Sequence, residues 1–501
     1  MSSARRRFLV IGLDGGTFDL LDPLMQAGEL PFLRSLTERG IRAPLESVYP
    51  PKTIPAWYSF ATGQDPGGLG IFGFTQPDSV PGKSKLVQTF RPHEAIWDFL
   101  SRNGVRVGVL NFPLHSGYPL NGFVIPGMLN EDPVSYPSNL KEELEAELGA
   151  PYPNELPPYR TFERTAWMEL ATRDVAHRGR AAAILAERER PEFLFVLFRE
   201  TDRVEHQHWG ELSRPVDAIP TDLRQFWRTV DAACHVIDTA FRAGGSPALT
   251  LVVSDHGHGR AESDFFTNRW LAANGFLRFR NQRESLRRQS LSRLAFVLQR
   301  FPRVEKLIEP IADILRGGPV REKFGSYITG ASSFEAVAER IDWEQTLAYS
   351  YPVPEGIYLN LRNPTLTPQR AAEVLREIQA KLEAYPDAHI EVLDPQQIYQ
   401  GKNLAQAPSL FVKIDGLRTD PRMDFSYPQP LLRERPTFFY GTGTHRMLGI
   451  LIAAGDGVLP QRLTEPLSLL DVAPTVLEGM GVAVPKRMSG RSFARRIGGA
   501  A

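Results

Sequence analysis

The sequence predicts an α/β protein: a mainly parallel central sheet with helices on both faces, plus an inserted module. Three observations carry this expectation. Short apolar runs alternate with stretches of helical spacing through the first 260 residues, the pattern of strand-helix units in a parallel sheet. The runs at 7–13, 193–198 and 249–253 are apolar almost throughout, as strands buried on both faces are. At 501 residues the chain exceeds one ordinary compact core. The second module is assigned to 261–437 as an inserted cap, with the core running over 1–260 and 438–501.

The elements follow in order. Three arginines, Arg5 to Arg7, precede an apolar run too short for a signal peptide and broken by Gly12 and Asp14, so 7–13 is read as the first strand. It ends in Asp14-Gly15-Gly16, a tight turn at a strand's carboxyl end, the edge where open parallel sheets bind ligands. A helix over 30–39 closes at Gly40, and a strand over 43–49 leads into Pro50-Pro51-Lys52-Thr53-Ile54-Pro55. There a helix starting near Pro55 aims its free N–H groups at whatever binds Thr53. The glycine-rich loop over 63–74 lacks the Gly-Lys-Ser/Thr ending of a phosphate-binding P-loop. Further helices are expected over 95–103, 140–148, 166–190 and 226–243, and further strands over 105–112, 192–198 and 249–253. Beyond 261, an arginine-rich stretch over 277–316 reads as a docked helical cap, with Leu291, Leu294, Leu298 and Phe301 at core spacing. A small strand-helix-strand module follows over 341–392, and the core resumes with a strand over 448–454 and a helix over 470–479.

Charge and cysteine content narrow the function classes. Lys+Arg 58 balances Asp+Glu 58, so the zero net charge argues against a nucleic acid polymer or an anionic membrane as partner. One cysteine, Cys234, excludes a disulfide framework and a cysteine-rich zinc site. It is read as a buried helix residue in a cytoplasmic protein. No run of eighteen apolar residues occurs, so no transmembrane segment is expected.

Asp14, Asp202 with His206, Asp255 with His256, and His445 each stand beside an apolar run. Singly, each has a structural explanation as a turn, cap or loop residue. Jointly they form a carboxylate and imidazole set suited to zinc, manganese or iron, and with Thr53 they are numerous enough for two ions. Asp202 and His206, four apart, share a face if a helical turn begins there. His208, Trp209 and His258 are read as pocket walls.

Together, Leu-Asp14-Gly, Lys52-Thr53-Ile-Pro, Asp202-x-x-x-His206, Ser-Asp255-His256-Gly and Gly-Thr-His445 resemble the alkaline phosphatase superfamily, nearest its type I phosphodiesterase/nucleotide pyrophosphatase branch. The resemblance covers roughly 8–259 and 440–492. It implies an alkaline phosphatase-like fold and two divalent cations, zinc with manganese as the alternative. Asp14, Thr53, Asp255 and His256 would hold one ion, and Asp202, His206 and His445 the other. It also implies a small phosphorylated substrate, Thr53 as nucleophile and Lys52 as a substrate-binding residue. Nucleotide-cleaving members follow the nucleophile with Pro-Asn, whereas Ala56 follows Pro55 here and 67–74 holds no asparagine. A monoester, a lipid or sugar diester, or a phosphonate therefore stays open as substrate. So do a phosphomonoesterase or phosphomutase and, from another class, a non-catalytic metal- or phosphate-binding protein, whose mark would be a missing ligand.

Overall fold

A computed structural model describes residues 5–79, 82–87, 94–115, 117–127, 134–153, 155–159, 163–245, 247–280, 334, 337–425, 427, 429–433 and 441–498. The chain divides into two compact units, one of Met1–Asp65, Gln88–Arg260 and Gly441–Ala501, the other of Pro66–Val87 and Ala261–Tyr440.

In the first unit the strands are β1 (Arg7–Leu13), β2 (Ile41–Glu46), β3 (Val107–Leu110), β4 (Gly122–Ile125), β5 (Phe193–Phe198), β6 (Ala248–Val253), β7 (Gly257–Arg260), β8 (Gly443–Arg446), β9 (Leu448–Gly455), β10 (Gln461–Arg462) and β11 (Leu467–Ser468). Among the described residues, nine of these form one sheet in the order β10-β2-β9-β6-β1-β5-β3-β4, with β11 also paired to β2. The centre is parallel, and β9 runs antiparallel to both β2 and β6. The fold is the expected α/β class. β7 and β8 pair with each other as a separate antiparallel ribbon.

Alternation along β1 explains the two layers. Leu9, Ile11 and Leu13 join the cluster that buries α1 (Phe18–Gln26), α2 (Pro31–Arg39), α6 (Arg164–Glu189) and α8 (Thr221–Ala243). Cys234 lies inside that cluster, on α8. On the opposite face, Trp57 and Phe60 of α3 (Thr53–Thr62) and Trp97 of α4 (Ile96–Arg102) pack on Phe195 of β5. Gly12 faces this second layer, and a Cβ there would stand 2.6 Å from the Trp57 ring and 2.9 Å from a Leu197 methyl. Gly12→Ala is therefore expected to cost about 1–3 kcal/mol through overpacking, read as a lowered thermal midpoint. An unchanged midpoint would show that α3 can lift away freely.

Several elements were not anticipated, α1 and β4 among them. α1 carries Pro23 inside its span, which masks the helical pattern, and β4 is only four residues long within a proline-rich region. The remaining helices of this unit are α5 (Leu140–Leu148), α7 (Glu200–Leu212) and α9 (Val472–Gly479).

The second unit has its own apolar core, in which Ile357, Val374, Ile378, Val412 and Ile414 are buried. The expected strand-helix-strand module is an antiparallel sheet of Ala348–Tyr349, Gly356–Leu359, Leu410–Ile414 and Ile390–Leu393, in that order, with the helix Pro368–Glu383. The expected arginine-rich stretch over 277–316, with Leu291, Leu294, Leu298 and Phe301, lies from 281 on outside the described residues. Among the described residues, no helix is long and apolar enough to cross a membrane.

Candidate functional site

One edge of the sheet gathers the chemistry. β1, β5 and β6 run parallel, so Asp14, the start of α7 and Asp255-His256 all follow carboxyl ends on the same side. β2, antiparallel to β9, points the same way and leads towards Thr53, while β9 starts at that edge just after His445. Loops at this edge are cross-tied. The Thr201 hydroxyl donates to the Asp14 carbonyl (2.6 Å), the Gly15 N–H to Asp255 Oδ1 (3.3 Å), and the Ser254 hydroxyl to the Gly16 carbonyl (2.9 Å).

Local periodicity aims the side chains. On α7, Asp202, Glu205 and His206 are three and four residues apart and share a face. In the β7–β8 ribbon, His258 stands directly opposite His445, so both project to the same side. Asp14, Asp255, His256, Glu205 and His258 are wholly buried, Asp202 and His445 nearly so, and His206 is half-buried.

Three imidazoles are fixed through Nδ1. His206 donates to the Gly443 carbonyl (3.1 Å), His256 to the Gly257 carbonyl (3.1 Å) and His445 to the Pro51 carbonyl (2.6 Å). A carbonyl only accepts, so each Nδ1 carries the hydrogen and each Nε2 keeps a bare lone pair when the ring is neutral. Those lone pairs converge on carboxylates. His206 Nε2 and His445 Nε2 lie 3.3 and 3.2 Å from Asp202 Oδ1 and 2.9 Å from each other. His256 Nε2 lies 3.3 Å from Asp255 Oδ2 and 3.6 Å from Asp14 Oδ1. Two bare lone pairs at 2.9 Å repel unless a positive charge sits between them.

The electrostatics agree with a cation site. Burial pushes the Asp14 and Asp255 carboxyls well above the ordinary range, with neighbouring carboxylates adding to the shift. Burial pushes Asp202 the same way, yet the imidazoles of His206 and His445 hold it well below. Burial also holds His256 and His258 well below the usual imidazole range, leaving them in the neutral form a metal needs. Asp14 Oδ1, Asp255 Oδ2 and His256 Nε2 have no hydrogen-bond partner among the described residues. Donors about 2.1 Å from a shared ion at a tetrahedral angle are about 3.4 Å apart, and these pairs cluster near that value. Two groups emerge, Asp14-Asp255-His256 and Asp202-His256-His258-His445, with His256 common to both. The donors therefore fit divalent cations.

Thr53 is buried and opens α3, with Lys52 at the cap, so the helix starts two residues before Pro55. Ties to the cluster flank it on both sides. His445 holds the Pro51 carbonyl, and Trp57, one turn along the helix, donates from its indole N–H to Asp14 Oδ2 (3.3 Å). Pro55 has no N–H, and Ala56 N–H already bonds the Lys52 carbonyl (2.9 Å), so the first turn presents the N–H groups of Thr53 and Ile54.

Of the residues read as walls, His208 turns away to Glu211 (3.0 Å) and packs on Tyr159 and Trp167. His258 instead enters the cluster, and Glu205 joins it unanticipated. Short spacing held both signals: His258 is two residues past His256, at the start of a strand, and Glu205 is three past Asp202 on a helix.

Comparison with known proteins follows the same line. A family model described as type I phosphodiesterase / nucleotide pyrophosphatase matches residues 8–421. Two crystal structures of phosphonoacetate hydrolase from Sinorhizobium meliloti 1021, one in complex with phosphonoformate and one with phosphonoacetate, are similar in fold. Each is 15% identical, the comparison covers 96% of this chain and 96% of that chain, and the TM-scores are 0.55 and 0.56. No curated protein matches the chain.

Proposed function

Because the chain belongs to the type I phosphodiesterase/nucleotide pyrophosphatase family, a family of phosphoester hydrolases, we propose that it cleaves a phosphodiester or pyrophosphate bond through Thr53 at a two-cation site. The observation that carries this reading is the pair of ties flanking Thr53, from Pro51 to His445 and from Trp57 to Asp14, which join the hydroxyl's turn to both ligand groups. Asp14, Thr53, Asp255 and His256 would hold one ion, and Asp202, His206 and His445 the other. Zinc suits this mixed carboxylate and imidazole set, and manganese accepts the same donors. Bound there, the cations supply Lewis-acid stabilisation of phosphoryl charge and acidify the threonine hydroxyl.

The chain's own groups do the rest. Thr53 Oγ attacks phosphorus opposite the leaving oxygen, so that the Oγ–P bond forms as the bond to the leaving group breaks. Water then hydrolyses the phosphothreonine. The N–H groups of Thr53 and Ile54, at the positive end of α3, receive a phosphoryl oxygen, and Lys52 adds a positive charge at the cap. The Nδ1 bonds of His206, His256 and His445 keep each Nε2 turned inward throughout.

Ala56, standing where nucleotide-cleaving relatives carry asparagine, favours a second reading: a monoesterase, a phosphomutase, or a phosphonate hydrolase on the same machinery. Turnover of bis-p-nitrophenyl phosphate, p-nitrophenyl phosphate and phosphonoacetate decides between them, using metal-stripped protein with zinc or manganese restored. Faster, metal-dependent cleavage of the diester supports the leading reading; preference for the monoester or the phosphonate replaces it. Tight metal binding with no turnover of any of the three counts for a binding protein.

A further inference from the structure

The second unit has a cavity of its own, about 570 Å³, that the chemistry above does not use. All of the residues around it belong to that unit, some in the Pro66–Val87 segment and the others between 343 and 409. A cavity of this size accommodates a small organic molecule.

Part of its wall is aromatic and fixed in place. Tyr349 and Tyr358 stand opposite each other on the antiparallel strands Ala348–Tyr349 and Gly356–Leu359, with their rings stacked at 5.9 Å. Trp343 meets Tyr349 edge-on at 5.4 Å, and its indole N–H donates to the Ala338 carbonyl (3.1 Å). That N–H is spent, so the indole offers a ligand its ring alone. Trp343 and Tyr349 line the cavity half-buried, and each keeps some ring surface uncovered.

Charge is the second feature. Lys85 and Arg362 line the same cavity, exposed, and neither forms an ion pair with another described residue. Arg362 is oriented by donating to the Ser79 carbonyl. Burial raises the Tyr349 phenol while the Arg362 charge opposes the rise, which sets the guanidinium close to the aromatic wall. Asp78 is the one acid among the described lining residues, so positive charge is in excess. Thr75 lines the cavity too, and its buried hydroxyl has no hydrogen-bond partner among the described residues. Buried hydroxyls are ordinarily satisfied, and a polar group on a ligand would satisfy this one.

We propose that this cavity binds a small planar aromatic anion, its ring against Trp343 and the tyrosine pair and its negative group held by Lys85 and Arg362. Aromatic faces accept flat rings by stacking with little regard to substituents. Lysine and arginine together favour a carboxylate or phosphate over a neutral group. The site goes beyond the two-cation reading and stands whether or not that reading holds.

Equilibrium dialysis of the full-length protein tests it, with naphthoate, adenosine monophosphate and adenosine as probes. Naphthoate or the nucleotide is expected to bind saturably, one per chain, and more weakly as salt is raised. Lys85→Glu, Arg362→Glu and Trp343→Leu should each weaken that binding by about tenfold or more while keeping the cooperative melt. Should Trp343→Leu fail to fold, the two exposed charge reversals carry the test. Tighter binding of naphthoate assigns the site to aromatic carboxylates, and tighter binding of the nucleotide to phosphorylated aromatics. No saturable binding of either anion, binding that the folded variants leave unchanged, or adenosine bound as tightly as its monophosphate overturns the proposal.

Discussion

Thr53→Ala is expected to lower turnover of whichever ester the protein cleaves by about a thousandfold or more, while its bound cations stay in place. The size follows from the role: removing a nucleophile abolishes the covalent route and leaves only positioning and charge stabilisation. Retention of metal follows from the donors, because Asp14, Asp255 and His256 still converge without the hydroxyl. Thr53→Ser should recover part of the rate, since serine keeps the hydroxyl and loses only the methyl that narrows its rotamers. Trapping a phosphoryl group on residue 53 of the wild type, and failing to trap one in the alanine variant, is the direct check. Full activity of Thr53→Ala would move the nucleophile elsewhere and remove the central claim.

Metal loss should have the second largest effect, and Asp202→Asn isolates it. One oxygen of Asp202 faces the Nε2 atoms of His206 and His445 and the Nδ1 of His258. Losing its charge should release an ion and cut turnover at least a hundredfold, with metal content measured alongside activity. A chelator applied to wild type should do more. A ligand held at a thousand times its dissociation constant contributes about 4 kcal/mol, so stripping it should lower the melting midpoint on the order of 10 °C. Affinity should also fall as pH drops. Asp14 and Asp255 titrate above the ordinary carboxylate range because they are buried together, so protons compete with the cation well before ordinary carboxylates protonate. A melting midpoint unmoved by chelation would mean that the cluster holds no ion.

Much of the architecture was legible because strong local signals coincide with strong burial. The apolar strands β1, β5 and β6 and the long helices α6 and α8 announce themselves by composition and spacing, since each hides a continuous apolar face. α1 escaped because Pro23 breaks the pattern of a helix that starts only five residues before it. At the site, carboxylates and imidazoles next to such strands stood out individually. His258 and Glu205 did not, because each lies within two or three residues of an assigned ligand and has an ordinary explanation as a neighbour.

By itself the sequence determined which strands are buried, where residue types able to bind a metal lie beside them and where a hydroxyl meets a helix start, since these depend on residue type and short spacing. Only the tertiary structure decided which of them meet. Antiparallel β9 brings His445 to the edge held by Asp14 and Asp255, and its pairing partner β2 carries the chain to Thr53 on that same side. Pairing of Gly443–Arg446 with Gly257–Arg260 then sets His258 opposite His445 across some 187 residues, by the arithmetic 445 minus 258. Contacts that distant are closed by strand register and packing, which no local pattern encodes.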